Sequence, residues 1–350
     1  MSTVLENPGE APSRLAASPV VAIVGATGAV GGELLRCLDV RGFPLRGLRL
    51  LASSRSAGKT LTFRGQDIEV ETLTEASFDG VDLALFSAGS SIAKRFAPAA
   101  VKAGAVVIDN SSAFRMHPGV PLAVPEANGE TLTRHRGIIA NPNCVAAIAV
   151  VALAPLHRVH PLRRVIAATY QAASGAGAAA MEELRQSTEA YLRGEKFTPK
   201  VLPYSYAFNL FSHDAAMDLE TGYNDEENKV VAETRRMLGA EGLPIGITCI
   251  RVPVLRAHAM ALTVEFDEVV SAEEARAILA AAPGLRVVDD RVGNHFPMPS
   301  EASGQDDVLV GRIRTDRGDP SGRSLALFVA GDQLLKGAAL NAVQIAELLL

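Results

Sequence analysis

Cysteine is scarce in this chain, and long apolar runs are absent. Three cysteines in 350 residues, Cys37, Cys144 and Cys249, cannot form a disulfide framework, so we expect a reduced, cytoplasmic protein. The longest apolar run, over 145–156, is too short to span a bilayer. Residues 1–17 lack the apolar core of a secretory signal. The sequence therefore predicts neither a membrane protein nor a secreted disulfide scaffold.

The chain also lacks an excess of positive charge. Its 34 Lys and Arg residues against 39 Asp and Glu residues give a net charge of −5, which argues against a general nucleic-acid-binding role. Cysteine and histidine nowhere show the spacing of a metal site. A hydrophobic content of 48% excludes disorder for the bulk of the chain, and 350 residues suggest two domains.

The first half of the chain has the rhythm of alternating strands and helices. Val20–Val24 is a continuous apolar run, as expected of a strand buried on both faces. Further short apolar runs at 81–86, 105–109 and 137–140 are separated by segments of helical length. This pattern predicts an α/β fold with a Rossmann-type doubly wound sheet.

The pattern changes after Ala154, where longer strands with partial alternation begin. They are predicted at 164–170, 248–255, 260–267, 307–314 and 324–329. We therefore expect a second, α+β domain with a largely antiparallel sheet. The predicted organisation is a flexible arm over 1–17, a nucleotide-binding domain over 18–144 with 331–350, and a catalytic and dimerisation domain over 145–330.

A glycine-rich turn follows the first predicted strand and opens a helix. It reads Gly25-Ala-Thr27-Gly28-Ala29-Val30-Gly31, a variant of the dinucleotide fingerprint. Glycines permit a tight turn, and the unpaired N–H groups of the helix N-terminus attract a pyrophosphate. This position after the first strand favours a dinucleotide site over an ordinary tight turn.

The end of the second predicted strand indicates which dinucleotide is bound. An NAD site normally carries Asp or Glu there, whereas this chain has Ser53, Ser54, Arg55 and Ser56. Hydroxyls and a guanidinium suit a 2′-phosphate, so we predict NADP, the alternative being a solvated basic turn. A triphosphate loop ending at 58–60 is disfavoured because position 53 is Ser where that motif requires Gly.

Cys144 is the candidate nucleophile. It follows Asn141-Pro142-Asn143 and precedes an apolar helix, whose dipole would stabilise a thiolate. For Cys144 taken alone, a buried structural thiol is as good an interpretation as a nucleophile. Cys37 and Cys249 lie in apolar contexts typical of core residues. Arg251 and His258 end a strand and a turn and could share a pocket, the alternative being a satisfied histidine at a strand end.

Taken together, several ordered blocks resemble the aspartate-β-semialdehyde dehydrogenase family. The resemblance runs from about residue 19 to the C-terminus. Its motifs are GATGAVG (25–31), LASSRSAGK (51–59), DNSSAFRM (109–116), VPEAN (124–128), NPNC (141–144), QAASGAG (171–177), E-x-x-K (226–229), RVPV…H (251–258) and KGAALNAVQIAE (336–347).

The resemblance implies a role for each matching residue. Cys144 would be the nucleophile, His258 the acid/base that serves the thiol, and Gln171 the side chain that orients the substrate. Arg251 would pair with the substrate α-carboxylate and Glu226 with its ammonium group. The implied phosphate ligands are Lys229, Arg115 and Asn110. The expected cofactor contacts are Gly25, Thr27, Gly28, Ala29, Val30, Ser53, Arg55, Ser56, Ser174, Gly175 and Asn341.

The implied reaction is NADPH-dependent reduction of aspartyl-β-phosphate to aspartate-β-semialdehyde with release of phosphate, through a cysteine thioacyl intermediate. This is a step of aspartate-family amino-acid biosynthesis, and the family resemblance implies a homodimer. One alternative is N-acetyl-γ-glutamyl-phosphate reductase, whose acylated substrate would leave Glu226 without a partner. Another is a non-catalytic NADP-binding homologue.

The chain departs from the family pattern at several positions. Val145-Ala146 stand where Ser-Thr commonly follows the cysteine, and Ala257-His258-Ala259 replaces Gly-His-Ser. His213 stands where Gln is more usual, and Leu335 where an arginine is expected. The chemical groups required for the reaction are nevertheless present.

Overall fold

The computed structural model describes residues 14–350, which form two compact units. The first comprises the described residues up to Asn143 together with Ala338–Leu350, and the second is Cys144–Gly337. The second therefore ends seven residues beyond the predicted boundary at 330, because the last strand and the turn after it belong with the second sheet.

The predicted arm over 1–17 falls mostly on residues 1–13, which lie outside the described residues. For the remaining four positions the prediction of a loose segment is wrong in part. Leu15 is buried, and its N–H donates to the carbonyl of Leu349 at 2.7 Å. The backbone of Leu15 thus pairs this segment with the C-terminal residues.

The first unit contains a seven-stranded sheet in the order β3-β4-β2-β1-β5-β6-β7. All neighbouring pairs are parallel except β3 and β4. The strands are β1 (Val20–Val24), β2 (Gly47–Ala52), β3 (Thr60–Phe63), β4 (Gln66–Thr72), β5 (Leu83–Phe86), β6 (Val106–Asp109) and β7 (Ile138–Ala140). Strand order reverses at β1, between β2 and β5, and the carboxyl ends of strands at such a point are where ligands bind.

The helices of this unit connect consecutive parallel strands or lie at its C-terminus. They are α1 (Ala29–Val40), α2 (Ser90–Lys102), α3 (Pro125–Asn128) and α9 (Leu340–Leu348), with 3₁₀ turns at Glu75–Phe78 and Gly129–Arg134. Helix α9 packs against α1, α3 and β6. The C-terminal segment therefore completes the unit that the glycine-rich turn begins.

The second unit contains a seven-stranded sheet in the order β12-β13-β14-β11-β8-β10-β9. The strands are β8 (Leu162–Gln171), β9 (Phe211–Ser212), β10 (Ile245–Arg251), β11 (His258–Phe266), β12 (Leu285–Val287), β13 (Val308–Thr315) and β14 (Ser324–Gly331). Two pairs are parallel, β8 with β10 and β12 with β13, and the others are antiparallel. The predicted fold class, a Rossmann-type sheet plus an α+β domain with a largely antiparallel sheet, is confirmed.

The second unit also contains helices. They are α4 (Cys144–Val159), α5 (Ala178–Leu192), α6 (Asp225–Leu238), α7 (Ala272–Ala281) and α8 (Pro299–Ala302), with a 3₁₀ turn at Ala173–Ala176 and a π-helical turn at Leu335–Ala339. Helix α4 packs against α6, α7 and the sheet, and its residues 145–156 are all buried. A helix that is apolar all round is expected in such an interior position. Within residues 14–350, no helix is long and apolar enough to cross a membrane.

A histidine just after α4 lies between two carboxylates. Nδ1 of His160 is 2.8 Å from Glu268 and Nε2 is 2.9 Å from Glu274, which lies in the first turn of α7. The hydrogen bond with Glu268, supported by Glu274 and opposed by burial, raises the pKa of His160 above 6.5. Protonated His160 therefore connects the end of α4 to the start of α7.

Replacing this histidine should reduce stability in a pH-dependent way. Because the pKa is raised in the folded state, the stabilisation is complete below pH 6.5 and is lost as the pH rises through the folded pKa. We expect His160→Gln to lower the free energy of unfolding by about 1 kcal/mol or less at acidic pH, and by less at alkaline pH. Urea unfolding at about pH 6 and about pH 9 measures the difference.

His157, in the last turn of α4, provides the matched control. Burial lowers the pKa of His157 below 6.5, so its contribution is lost as the pH falls. The cost of His157→Gln should therefore be larger at alkaline pH, opposite to that of His160→Gln. The same pH trend in both variants would contradict the assignment.

Candidate active site

Cys144 is the first residue of α4 and is partly exposed. At this position the helix dipole favours a thiolate. The other two cysteines are buried, as predicted, and burial above all raises the pKa of the Cys249 thiol to about 12. Of the three cysteines, Cys144 alone is both partly exposed and placed where a thiolate, the reactive form, is stabilised.

His258 is the first residue of β11 and is fully buried. The N–H of Ala172 donates to its Nδ1 at 3.0 Å, so a neutral ring carries its proton on Nε2. Nε2 is buried and has no hydrogen-bond partner among the described residues. Burial, with smaller contributions from Arg251 and His213, lowers the pKa of His258 to about 3. The site thus contains a neutral imidazole with a directed Nε2–H.

Gly175 lies directly against this imidazole. A Cβ at Gly175 would lie 3.1 Å from Nε2 and 3.0 Å from Cε1 of His258, and 3.4 Å from Nη1 of Arg251. Gly175 belongs to the 3₁₀ turn Ala173–Ala176, and its neighbour Ser174 is buried, with a hydroxyl that accepts from Nε2 of Gln333. The predicted cofactor turn therefore contacts His258 and Arg251 directly.

Arg251 ends β10 and is buried beside an acid that the sequence did not point to. Its Nε donates to Oδ1 of Asp214 at 2.9 Å. Burial alone would raise the pKa of Asp214, but the guanidinium outweighs it and the pKa falls below 3.8. His213 lies in the same cluster, where burial and then Arg251 lower its pKa, with Glu226 and Lys229 also acting on it. The guanidinium is thus held in one orientation by a carboxylate.

Gln171 ends β8 and pairs with Arg251 across the parallel β8–β10 ladder. The hydroxyl of Thr169 donates to its Oε1 at 3.0 Å, and its Nε2 donates to Glu226 at 3.2 Å. Glu226 is buried in the first turn of α6, and Lys229 follows it by three residues, on the same helix face. The structure therefore brings Gln171, Arg251 and Glu226 together in the second unit.

Sequence reasoning missed the supporting residues of this cluster. Besides Asp214 and Thr169, the clearest is Gln333, whose Oε1 accepts from the N–H of Ala257 at 2.9 Å. The available signal was a polar Asp332-Gln333 pair directly after the apolar run of β14.

The glycine-rich turn of the first unit leaves no room for side chains at two positions. Gly25 has φ +89°, and a Cβ there would lie 3.0 Å from backbone and hydroxyl atoms of Ser87. A Cβ on Gly31 would come within 2.3 Å of the carbonyl oxygen of Gly25. Gly28 precedes α1, whose first turn contains no acid. This tight turn at the strand-order reversal fits a dinucleotide pyrophosphate.

The predicted 2′-phosphate ligands lie beside this turn. The hydroxyl of Thr27 donates to that of Ser56 at 3.3 Å, which connects the turn with the segment after β2. Ser53 and Arg55 are exposed in that segment, and Ala29 and Val30 open α1. The structure therefore brings these predicted cofactor residues together within the first unit.

The predicted residues Asn110, Arg115 and Asn341 belong to a hydrogen-bonded network in the first unit. Nδ2 of Asn341 donates to Oδ1 of Asn141 at 2.5 Å, and Nδ2 of Asn141 donates to Oδ1 of Asn110 at 2.7 Å. Arg115 donates to the carbonyls of Asn141 and Asn110 at 2.9 and 2.7 Å. Asn341 is fully buried, and its Oδ1 has no partner among the described residues. The network fixes the backbone three residues before Cys144.

No metal centre is present in the part of the chain that the structure describes, since no group of three or more His, Cys, Asp or Glu side chains is placed to hold an ion.

Comparison with known proteins identifies two family domains in the chain. Residues 20–135 match the family described as semialdehyde dehydrogenase, NAD binding domain. Residues 153–336 match the family described as semialdehyde dehydrogenase, dimerisation domain. The aspartate-semialdehyde dehydrogenase of Synechocystis is 54% identical over 333 residues, which cover 95% of this chain and 98% of that protein.

Solved structures show the same architecture. Aspartate semialdehyde dehydrogenase II from Vibrio cholerae, complexed with ASA, superposes with a TM-score of 0.91 at 41% identity, covering 95% of this chain and 98% of that one. The Candida albicans enzyme with NADP has a TM-score of 0.73 at 23% identity, covers 95% and 98% of the two chains, and supports the fold alone. The resemblance found in the sequence is confirmed, and the chain belongs to the aspartate-semialdehyde dehydrogenase family.

Proposed function

We propose that this protein catalyses the NADPH-dependent reduction of aspartyl-β-phosphate to aspartate-β-semialdehyde, with release of phosphate, through a thioester on Cys144. The observation that carries the proposal is the cluster in the second unit. There a buried neutral imidazole lies near an arginine, and a glutamate accepts from the glutamine beside that arginine. The same unit begins with a partly exposed thiol at a helix N-terminus. The Synechocystis and Vibrio cholerae relatives support this choice of reaction.

Cys144 supplies the attacking sulfur. Its thiolate forms a bond to the acyl carbon, and the bond from that carbon to the phosphate oxygen breaks as phosphate leaves. The thioester is then reduced and the sulfur leaves again as thiolate when the aldehyde forms. Backbone N–H groups at the start of α4 are candidates to stabilise the oxyanion of the tetrahedral intermediates.

His258 acts through its Nε2–H. Because Nδ1 accepts from Ala172, Nε2 is the donor edge of the ring, and it stabilises negative charge on sulfur or oxygen. To act as a base at Nε2, the ring must either become a cation, which burial and Arg251 oppose, or move its proton to Nδ1, which breaks the bond from Ala172. We therefore refine the expected acid/base role to that of a neutral hydrogen-bond donor during attack.

The charges of the second unit match the amino-acid part of the substrate. Arg251 is the proposed partner of the α-carboxylate, oriented by Asp214, and Glu226 is the proposed partner of the ammonium group. Gln171 is directed by Thr169 and orients the substrate beside Glu226. Lys229 is the proposed phosphate ligand of this unit. N-acetylated substrates are disfavoured because they offer no cation to Glu226.

The first unit fits a dinucleotide, as the crowded glycines of the turn indicate. Gly25, Thr27, Gly28, Ala29 and Val30 would hold the pyrophosphate, and Ser53, Arg55 and Ser56 the 2′-phosphate. Asn341 is a further proposed contact in the same unit, since its buried Oδ1 has no hydrogen-bond partner among the described residues. When bound, NADPH supplies the hydride for reduction of the thioester.

A homodimer is the proposed assembly. The second unit matches a dimerisation domain. Helix α4 packs against one face of its sheet. On the other face, Ile166 is 45% exposed, and Tyr170 and Phe328 are half-buried and in ring contact. A partly exposed apolar surface of this kind suits association of two identical chains.

The proposed reaction is tested most directly in reverse. With aspartate semialdehyde and phosphate, the protein should reduce NADP⁺, as followed by absorbance, and Cys144→Ala should lower kcat at least about 10⁴-fold because the nucleophile is lost. Iodoacetamide at about pH 8 should modify Cys144 and inactivate the enzyme, whereas Cys249 should stay unmodified, since its pKa is about 12.

Cys37→Ala is the matched control, since Cys37 is buried in α1 and should be dispensable for turnover. Cofactor binding without turnover by the wild-type protein would favour a non-catalytic homologue. Turnover of the N-acetylglutamate analogue alone would favour the related reductase.

The protonation state of His258 gives a second prediction. Because its pKa is lowered to about 3, the ring should remain neutral from about pH 5 to pH 8 with its proton on Nε2. Nitrogen chemical shifts of the labelled ring measure both properties, and His258→Asn identifies the signal. The unfolded state takes up this proton first, so stability from this group is present above pH 6.5 and lost as the pH falls towards 3. A ring that titrates near its ordinary pKa would contradict the assignment.

We expect Arg55 to determine the preference for NADPH over NADH. Arg55→Ala should raise the KM for NADPH about 10-fold or more and leave that for NADH nearly unchanged, because only NADPH has a 2′-phosphate. The matched control is Arg36→Ala on the exposed surface of α1, which should alter neither value. Equal effects of Arg55→Ala on the two cofactors would show that Arg55 does not contact the 2′-phosphate.

A further inference from the structure

A short π-helical turn, Leu335–Ala339, follows β14. The N–H of Gly337 donates to the carbonyl of Asp332 at 3.1 Å, the spacing of five residues that defines this conformation. Turns of this kind are rare and are frequently found at functional sites. The part of the turn up to Gly337 belongs to the second unit.

Asp332 anchors the start of this turn. The carboxylate is fully buried and accepts from the N–H groups of Leu334 and Leu335 at 2.9 and 3.2 Å. It also accepts from the N–H of Gly304 at 2.7 Å and from Nε of Arg256 at 2.6 Å. With four donors on one carboxylate, the turn has little freedom to shift.

Gly337 lies directly against the candidate nucleophile. A Cβ at Gly337 would be 2.8 Å from Cβ and 3.1 Å from Cα of Cys144, and 3.2 Å from Cβ of Gln333. The φ angle of Gly337 is outside the left-handed region, so the backbone conformation does not require glycine. The requirement is one of space alone, and the neighbour that fills the space is Cys144.

Gln333, two residues before this turn, contacts the residues that support the histidine. Gln333, which packs against Gly337, accepts from the N–H of Ala257, the residue before His258. Its Nε2 donates to the hydroxyl of Ser174, next to the Gly175 that contacts the imidazole. One buried segment therefore contacts the nucleophile through Gly337 and the supports of His258 through Gln333.

We propose that Gly337 is a positioning residue for the reaction: its missing side chain lets Cys144 approach the π-helical turn, against which packs Gln333, the residue that holds the supports of His258. This inference rests on the proposed role of Cys144 as nucleophile. A side chain at position 337 moves the sulfur away from its place relative to the imidazole while leaving the substrate ligands Arg251 and Glu226 in position.

Kinetics and alkylation of Gly337→Ala test the proposal. We expect kcat to fall about 100-fold, with the KM for aspartate semialdehyde changed less than about threefold, because a displaced nucleophile lowers turnover more than binding. Alkylation of Cys144 by iodoacetamide should slow at least about threefold. Gly242→Ala, at an exposed glycine with no atom near the added Cβ, should change none of these values. Unchanged kcat and alkylation in Gly337→Ala would overturn the proposal.

A thermal-stability cycle tests the contact independently of activity. Gly337→Ala should lower Tm by roughly 3 °C or more in the wild-type and Cys144→Ser backgrounds, which both keep a Cβ at position 144. In Cys144→Gly the loss should shrink to less than half, because the closest clashing atom is gone. If Gly337→Ala does not fold, recovery of folding in the Cys144→Gly background supports the same contact, and its absence contradicts it.

The cycle also separates this inference from the proposed function. If the wild-type protein shows no turnover of aspartate semialdehyde, the proposed reaction is contradicted. The Tm cycle and the alkylation rate would still report on the contact between Gly337 and Cys144. Equal losses of Tm in all three backgrounds would overturn the inference even in an active enzyme.

Discussion

The hydrogen bond from the N–H of Ala172 to Nδ1 of His258 is the interaction on which the candidate site depends. It selects one tautomer, and burial with the nearby positive charge of Arg251 keeps that tautomer neutral. The donor is the residue after β8, which pairs with β11 along most of its length, with Tyr170 opposite Ala259. The register of the antiparallel ladder therefore determines which edge of the imidazole is available for chemistry.

The charged groups of the second unit follow from the same sheet. Arg251 and Gln171 are partners across the parallel β8–β10 ladder, which directs their side chains to one end of the sheet. Asp214 then holds the guanidinium and Thr169 holds the amide, so that neither side chain must be ordered when a substrate arrives. Buried ion pairs add little to net stability, because desolvation cancels most of their attraction. Their value here is preorganisation for a zwitterionic substrate.

Local patterns predicted the first unit and the ends of the elements that hold the site. A continuous apolar run followed by glycines indicates a buried parallel strand and its turn, and Pro142 before an apolar stretch indicates a helix that starts at Cys144. Asp214 and Gln333 could not be found in this way, because their roles come from contacts distant in sequence. Thr169 contacts Gln171 two residues on, but a threonine is common in any strand. Gln333 and Ser174 are 159 residues apart, and a polar residue after a strand is equally typical of an ordinary strand end. Leu15 shows the converse, since this residue of the predicted arm is buried and pairs with Leu349.

The departures from the family pattern around His258 have a physical explanation in the second unit. Ala257 has φ +72°, a left-handed conformation that costs a non-glycine residue about 1 kcal/mol. Its N–H is held by Gln333, and its methyl group is buried in an apolar cluster with Ala259, Leu309 and Ala330. A hydroxyl at position 259 would enter this hydrocarbon surrounding, where burial of an unpaired polar group is costly. Compared with the family pattern, Ala257 gives up the backbone freedom of glycine and Ala259 lacks the hydroxyl of serine, but both add apolar packing beside His258. The orientation of the imidazole therefore depends on the backbone N–H of Ala172 and on the side-chain amide of Gln333.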